Sequence, residues 1–375
     1  MQFFNQHLIL ISQRSESMFF ELTNEQRRCF AIPETAKDWK IIALSPSKFD
    51  MHYTYAYITP DNRIKKVICV GDDIYFEYGL EEICSEDRTI LLPKTDKGKP
   101  VKMTAANIMK KTYVGMSITF CRSTVSVINQ SAQREYYNSI YAEEGPKNIS
   151  EFKNWVKAWC EETTAEDLKD VKAFANAERV HIKYKEGDYF RFKINRRLFG
   201  YGRILVDFVQ MRKKKTPYWN IFLGTPVCVA IYHITTEKSD ISINELRDLH
   251  TLPPHMVMDN VFYYGECEVI GNEPLRLTDF DLPVHYGKSL AVNDDRLMYQ
   301  CGKTFLSLDK GEELEHGYIH NGIGFGLNVK LSVLESCIKE NSNQPYWDQN
   351  IPGTYDDLRN PRNRELLQKI REQFN

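Results

Sequence analysis

KEGDYFRFKINRRLFGYGRILVDF, residues 185–208, decides how the second half of this chain folds. Phe190, Phe192 and Ile194 alternate with Tyr189, Arg191 and Lys193, so the first half of the stretch is a strand with one apolar face. A basic turn, Asn195–Arg197, leads into a return strand from Phe199. That second strand spends two positions on glycine, Gly200 and Gly202, although glycine weakens a strand. Inside a strand, glycine marks a bulge, a bend or a place where another group comes close. Both glycines fall on the face opposite Tyr201 and Arg203. The pattern predicts a strongly coiled hairpin at the corner of a small barrel-like sheet, with Tyr201 and Arg203 projecting together from the other face. Arg203 then serves either in a local ion pair or in a recognition surface.

Working outward, the N-terminal half repeats the strand pattern with turn residues between the runs. YTYAYIT and IKKVICV flank PDNR; IYFEY, TILLP, VGMSITF and STVSVIN follow, an antiparallel meander up to about residue 142. Thr23 with Gln26 predicts a capping box on one short helix ahead of it. The pattern then changes. Ser150 is the expected N-cap of a helix whose Phe152, Trp155, Val156 and Trp159 share a stripe. Thr164 with Asp167 starts a second helix carrying Leu168, Val171, Phe174 and Ala175 on one face. After residue 180 alternation returns, interrupted by a helix capped by Ser242 and Glu245 and by another over Lys330–Lys339. The C-terminal run has Asn360 as N-cap and Pro361 at N1, with Leu366, Ile370 and Phe374 as a docking stripe; residues 341–359 read as loop. The expected class is α+β: two mostly antiparallel, β-rich domains joined by a helical pair, with a C-terminal helix. The expected boundaries are an N-terminal extension over 1–17, a β-rich domain over 18–147, a helical connector over 148–177, an α+β domain over 178–340 and a C-terminal loop and helix over 341–375.

Composition narrows the function classes. The chain has 375 residues, 42% hydrophobic, 27% charged and 12% aromatic, with a net charge of −2. Length predicts two domains, and the aromatic share agrees with β-rich structure. The charge balance predicts neither a polyanion binder nor an acidic tail. Nine scattered cysteines without a C-x-x-C pair read as thiols in a reducing cytoplasm. No apolar run is long enough to span a membrane, and the first residues lack the basic start and cleavage site of a secretory leader.

Catalytic patterns are missing. There is no G-x-S-x-G, H-E-x-x-H, Walker A or EF-hand loop, and the reading assigns no catalytic residue, metal ligand or cofactor. GIGFGL at 322–327 lacks the glycine spacing of a dinucleotide loop. His316 and His320 have helical metal-pair spacing but sit among turn-forming glycines; His250 and His255 straddle two prolines. A metal-assisted hydrolase would have to draw on His233, His250, His255 and His285. The basic, aromatic segment Arg212–Lys215 with Tyr218 and Trp219 is the alternative for nucleic-acid binding, although a solvated loop fits a chain of balanced charge better.

A family resemblance adds to this. EGDYFRFKINRRLFGYGRIL, followed by FYYGECEVIGNEPL and FDLPVHYG, resembles the immunity protein 26 family of bacterial polymorphic toxin systems. The resemblance covers roughly residues 180–290 and rests on Gly187, Asp188 and Phe190; on Gly200, Gly202, Arg203, Ile204 and Leu205; and on Tyr264 and Gly265. It implies a cytoplasmic bacterial protein that binds and neutralises a cognate toxin, with Tyr201, Arg203 and Tyr264 as candidate binding residues and the glycines and Asp188 as scaffold. The family name is also coupled to a phosphotriesterase activity, for which the sequence offers no dense His/Asp set. The reading therefore leans away from an enzyme and towards stoichiometric inhibition of a protein partner, with nucleic acid and membrane not expected as partners.

Overall fold

The computed structural model describes residues 19–45, 52–141, 145–209, 213, 225–237, 239–288, 295–309, 314, 326–327 and 329–374. The extension over 1–17, His316, His320, most of GIGFGL and all of Arg212–Lys215 except Lys213 lie outside them. Among the described residues, strands form three antiparallel sheets, and a helix closes the C-terminus, an α+β architecture. Contacts divide the chain into two compact units. The first comprises the residues up to Ser131 with Pro146–Ala177; the second comprises Ala132–Gly145 with Glu178–Asn375.

In the first unit, helix α1 (Asn24–Cys29) carries the Thr23–Gln26 capping box that its sequence predicts. The meander follows as β1 (Lys40–Ala43), β2 (Tyr53–Ile58), β3 (Arg63–Val70), β4 (Ile74–Cys84), β7 (Val114–Cys121) and β8 (Thr124–Asn129), paired in that order. A small side branch, β5 (Ile90–Leu92) and β6 (Val101–Lys102), hangs on β4, ahead of helix α2 (Ala105–Ile108). One sheet face packs an aliphatic core built on Ala56, Ile58, Ile64, Val67, Leu80 and Ile108. The other is aromatic. Helix α3 (Ile149–Glu161) lays Phe152 against Phe120, ring centroids 4.9 Å apart, and Trp155 and Trp159 stack on Phe30 at 6.0 and 5.6 Å. Its N-cap is Asn148 rather than Ser150: the Asn148 side chain accepts a hydrogen bond from Glu151 N at 3.0 Å, and its amide donates back to that glutamate. Helix α4 (Ala165–Ala175) starts at the predicted Thr164–Asp167 box.

This unit also buries charge. Glu77 and Lys66 are 0% and 1% exposed, and Arg27 is buried beside them. Glu77 accepts from Arg27 Nε at 2.7 Å, Lys66 Nζ at 2.5 Å and the Tyr75 hydroxyl at 2.6 Å, while Lys66 Nζ also donates to Pro33 O at 2.6 Å. The desolvation of three charges is offset here because every one is paired and hydrogen-bonded.

The second unit begins with β9 (Arg134–Asn138) and is organised by an open five-stranded sheet. Its order is β13 (His255–Met258), β12 (Pro226–Thr236), β11 (Phe199–Asp207), β10 (Asp188–Lys193), β14 (Glu268–Asn272). Among the described residues the path has two free ends, and the barrel-like closure expected from the glycines is not formed there. One face packs Phe190, Phe192, Ile204, Val229 and Ile231 against Leu334 and Cys337 of helix α7 (Leu331–Glu340). The opposite face packs Tyr189, Tyr201 and Tyr232 with Leu246 of helix α5 (Ile243–Arg247), whose Ser242–Glu245 box forms as predicted. Helix α6 (Asn260–Tyr263) precedes β14. A three-stranded sheet, β15 (Val284–Lys288), β16 (Leu297–Cys301) and β17 (Thr304–Leu308), is covered by helix α10 (Arg364–Gln373) through Ile370, Leu366 and Phe374, the predicted stripe. Residues 341–359 are not loop throughout: they hold two short helices, α8 (Gln344–Trp347) and α9 (Pro352–Tyr355). Asn360 caps a 3-10 turn at Pro361–Asn363, one turn ahead of α10.

Candidate functional site

The hairpin β10–β11 shows why two of its positions are glycine. Gly200 pairs with Phe192 and Gly202 with Phe190 across the strands. Both phenyl rings reach over the glycines with their far ends, so a Cβ at Gly200 would run into the Phe192 ring. A Cβ at Gly202 would meet the Phe190 ring and also stand 2.6 Å from Ala230 O on β12. The glycines thus make room for rings on the neighbouring strand, an arrangement that shields a strand glycine from solvent. The β11–β12 register also shifts between Gly200 and Gly202 and again between Ile204 and Val206, so the strand bulges where the glycines stand.

Gly187 and Asp188 tie the hairpin to the chain after β14. Gly187 has φ +87°, a conformation L side chains rarely adopt, and a Cβ there would collide with Glu273 O. The Asp188 carboxylate is buried and accepts from Lys185 N and from Asn272 Nδ2, both at 2.8 Å. Arg203 completes the tie by donating to Glu273 O at 2.8 Å and Pro274 O at 3.0 Å, with its guanidinium 4.5 Å from the Tyr189 ring. Tyr201 and Arg203 do share one sheet face, as alternation requires, but that face is covered. Tyr201 is 0% exposed and Arg203 9%. The sequence-level picture of two side chains projecting together from an open face missed the cover, which comes from Tyr189, Tyr232 and Leu246.

Tyr264 is placed differently, at the surface beside the exposed Tyr263. Gly265 follows at φ +75°, and Val180 and Ile182 lie over it: a Cβ there would be 3.2 Å from the first and 2.8 Å from the second. The segment 179–185 is fastened at its middle by Ile182 N donating to Tyr263 O at 2.9 Å, and Tyr184 packs on Phe262 at 5.4 Å. Arg179 donates to the Tyr264 hydroxyl at 2.9 Å with its guanidinium 4.8 Å from that ring, and the His181 ring sits 4.4 Å from Tyr263. Arg179, His181, Lys183 and Lys185 are all exposed. The result is a basic, aromatic ridge. Sequence reasoning gave it no weight, although RVHIKYK alternates basic and apolar residues and could have been read as an amphipathic extended segment.

Behind the ridge, Glu266 and Glu135 are half-buried. Burial, and secondarily the Glu135 charge, pushes the Glu266 carboxyl up to about 8, with Arg134 opposing. Burial likewise pushes Glu135 up to about 7, against a hydrogen bond from Asn138.

The four histidines considered for metal chemistry are dispersed in role. His233 Nε2 donates to Asn343 Oδ1 at 2.9 Å and its ring centroid is 6.2 Å from that of His250. His255 Nε2 donates to Leu327 O at 2.8 Å, and burial lowers its pKa to about 4. His285 stands on β15. Among the described residues no group of three or more His, Cys, Asp or Glu side chains could hold a metal ion. All nine cysteines are free thiols, five of them buried. No helix among the described residues is long and apolar enough to cross a membrane.

Comparison with known families gives a match within this part of the chain. The family described as Immunity protein 26 matches residues 185–296, a segment that runs from the β10–β11 hairpin to β15. It contains Gly187, Asp188, Gly200, Gly202, Arg203, Tyr264 and Gly265, and covers under a third of the chain. No curated protein and no solved structure matches the chain.

Proposed function

We propose that this chain is an immunity protein: it binds a cognate bacterial toxin in the cytoplasm and neutralises it by stoichiometric inhibition. The observation that carries this reading is the match of Immunity protein 26 to residues 185–296. In support, the matched residues with identifiable jobs are scaffold rather than catalyst. Gly187, Asp188 and Arg203 hold the Asn272–Pro274 segment against the hairpin, and Gly200 and Gly202 admit the Phe192 and Phe190 rings. A rigid sheet that positions surface loops suits recognition of a protein surface. In this reading Tyr264 touches the toxin, while Tyr201 and Arg203 act from beneath by holding the sheet and the 273–274 segment in place.

The test is co-expression. The frames neighbouring the gene are searched for a toxin domain; that domain is induced in a sensitive bacterial host with and without this chain, and the purified pair is titrated by calorimetry. Protection together with a complex of one chain per toxin is expected. Full toxicity in the presence of soluble chain, with no complex at micromolar concentrations, overturns the reading.

A further inference from the structure

We infer that the partner face of this protein is the ridge 179–185 with Tyr263 and Tyr264, and that the toxin surface it takes is acidic. This rests on the immunity reading and names the chemistry of the partner. The chain as a whole carries a net charge of −2, so a local concentration of one sign is a departure from its average. Between Arg179 and Lys185 every second residue is Arg, His or Lys, all four are exposed, and no acidic residue intervenes.

The alternate side chains are the ones that hold the segment down. Val180 and Ile182 lie over Gly265 and Tyr184 packs on Phe262. At the other positions Lys183 and Lys185 are exposed, while Arg179 and His181, also exposed, lean on the Tyr264 and Tyr263 rings. No acidic side chain among the described residues forms an ion pair with Arg179, Lys183 or Lys185. The acids nearest in the chain are otherwise placed. Glu186 is engaged by Lys303 Nζ at 2.6 Å and by Asp207 N, and Asp259 faces the Tyr184 hydroxyl at 3.5 Å. Glu178, exposed, is the one negative charge at the near end.

Two tyrosines and an arginine already ordered by a hydrogen bond and ring contacts form the kind of anchor that carries binding energy at protein interfaces. Arg179 is held over the Tyr264 ring, so less side-chain freedom is lost when it meets a carboxylate. The unpaired ammonium groups of Lys183 and Lys185 supply long-range attraction that accelerates encounter with a negative surface. A polyanionic nucleic acid would share the charge, but tracking a phosphate backbone requires a longer array of cations.

The experiment compares the full-length chain with two variants of equal charge change. Arg179→Glu/Lys183→Glu/Lys185→Glu reverses the ridge; Lys94→Glu/Lys97→Glu/Lys99→Glu reverses three exposed lysines of the first unit. Thermal melting confirms that both fold, and the milder Lys183→Gln/Lys185→Gln serves if the first does not. Binding to that toxin domain is followed by stopped flow at two salt concentrations. Poly-L-glutamate and a duplex DNA serve as separate probes. Reversal of the ridge is expected to slow association at low salt about tenfold or more and to flatten its salt dependence. The control reversal should stay within about threefold, as rim charges outside an interface do. Tight wild-type binding with the two variants behaving alike overturns this inference and leaves the immunity reading standing. No binding or protection by the wild type overturns both. Ridge-dependent binding of duplex DNA in preference to poly-L-glutamate and the toxin assigns the ridge to nucleic acid and overturns the acidic-protein assignment.

Discussion

Gly202→Val isolates the packing logic of the hairpin. Gly202 has an ordinary strand conformation, so the cost of a side chain there comes from collision alone. The new Cβ meets two obstacles: the Phe190 ring, which can rotate or shift, and Ala230 O at 2.6 Å, which is backbone of the interior strand β12 and cannot move without disturbing its pairing with β11. Overpacking a well-filled site costs about 1–3 kcal/mol, and the backbone obstacle puts Gly202→Val at the upper end. For a unit of this size, roughly 3 kcal/mol lowers Tm by about 6–12 °C. Gly200 provides the comparison, because the three nearest atoms there all belong to the Phe192 ring. In double-mutant cycles followed by urea unfolding, Phe192→Leu should relieve most of the cost of Gly200→Ala. Phe190→Leu should relieve only part of the cost of Gly202→Ala. If Gly202→Val unfolds within about 0.5 kcal/mol of wild type, the typical range of surface substitutions, or if both cycles show equal relief, the collision argument is refuted.

Three further outcomes follow from contacts described above. Glu77→Ala leaves Lys66 and Arg27 buried without their carboxylate and should cost about 3–5 kcal/mol by chemical denaturation; a loss below about 1 kcal/mol would show that water reaches the cluster. Arg203→Ala removes two hydrogen bonds to the 273–274 backbone and its cover of Tyr189, so it should lose about 1–3 kcal/mol, more than a surface ion pair would contribute; unchanged melting would mean that this segment holds its place without the arginine. Glu266 has a folded-state pKa of about 8, above its ordinary value of 4.5, so the folded protein binds a proton that the unfolded chain releases. Stability should then fall as pH rises from about 4.5 and level off above 8. Glu266→Gln should reduce the drop in Tm between pH 6 and pH 9; an identical drop in the variant would place the titrating group elsewhere.

The features that could be read from the sequence are those set by neighbours along the chain. The meander β2-β3-β4-β7-β8, the capping boxes at Thr23, Thr164 and Ser242 and the C-terminal stripe of Leu366, Ile370 and Phe374 all depend on residues a few positions apart. At KNIS the cap fell to Asn148, because its side chain and that of Glu151 satisfy each other's partners, an exchange the stripe alone does not locate. The reason for the strand glycines required the register that sets Phe190 against Gly202, and the burial of Tyr201 and Arg203 required Leu246, far along the chain. The basic ridge was hidden for a similar reason. A whole-chain charge of −2 averages away a short segment whose Val180 and Ile182 lie over Gly265.

The division of the chain into units has a consequence for how such a gene can be reassorted. Residues 132–145 count with the second unit, residues 146–177 with the first, and the chain enters the second unit again at 178. Tyr141, from the earlier visit, sits in the same core as Phe190 and Phe192. A single crossover at 178 would therefore give a chimera whose second core receives its tyrosine from a foreign parent. A crossover before 132 would carry the α3–α4 pair along and strip Phe152, Trp155 and Trp159 from the sheet they cover. The second unit is not a transferable cassette: swapping it cleanly takes three junctions, whereas recolouring the 179–185 ridge takes a few point changes in one short run of codons.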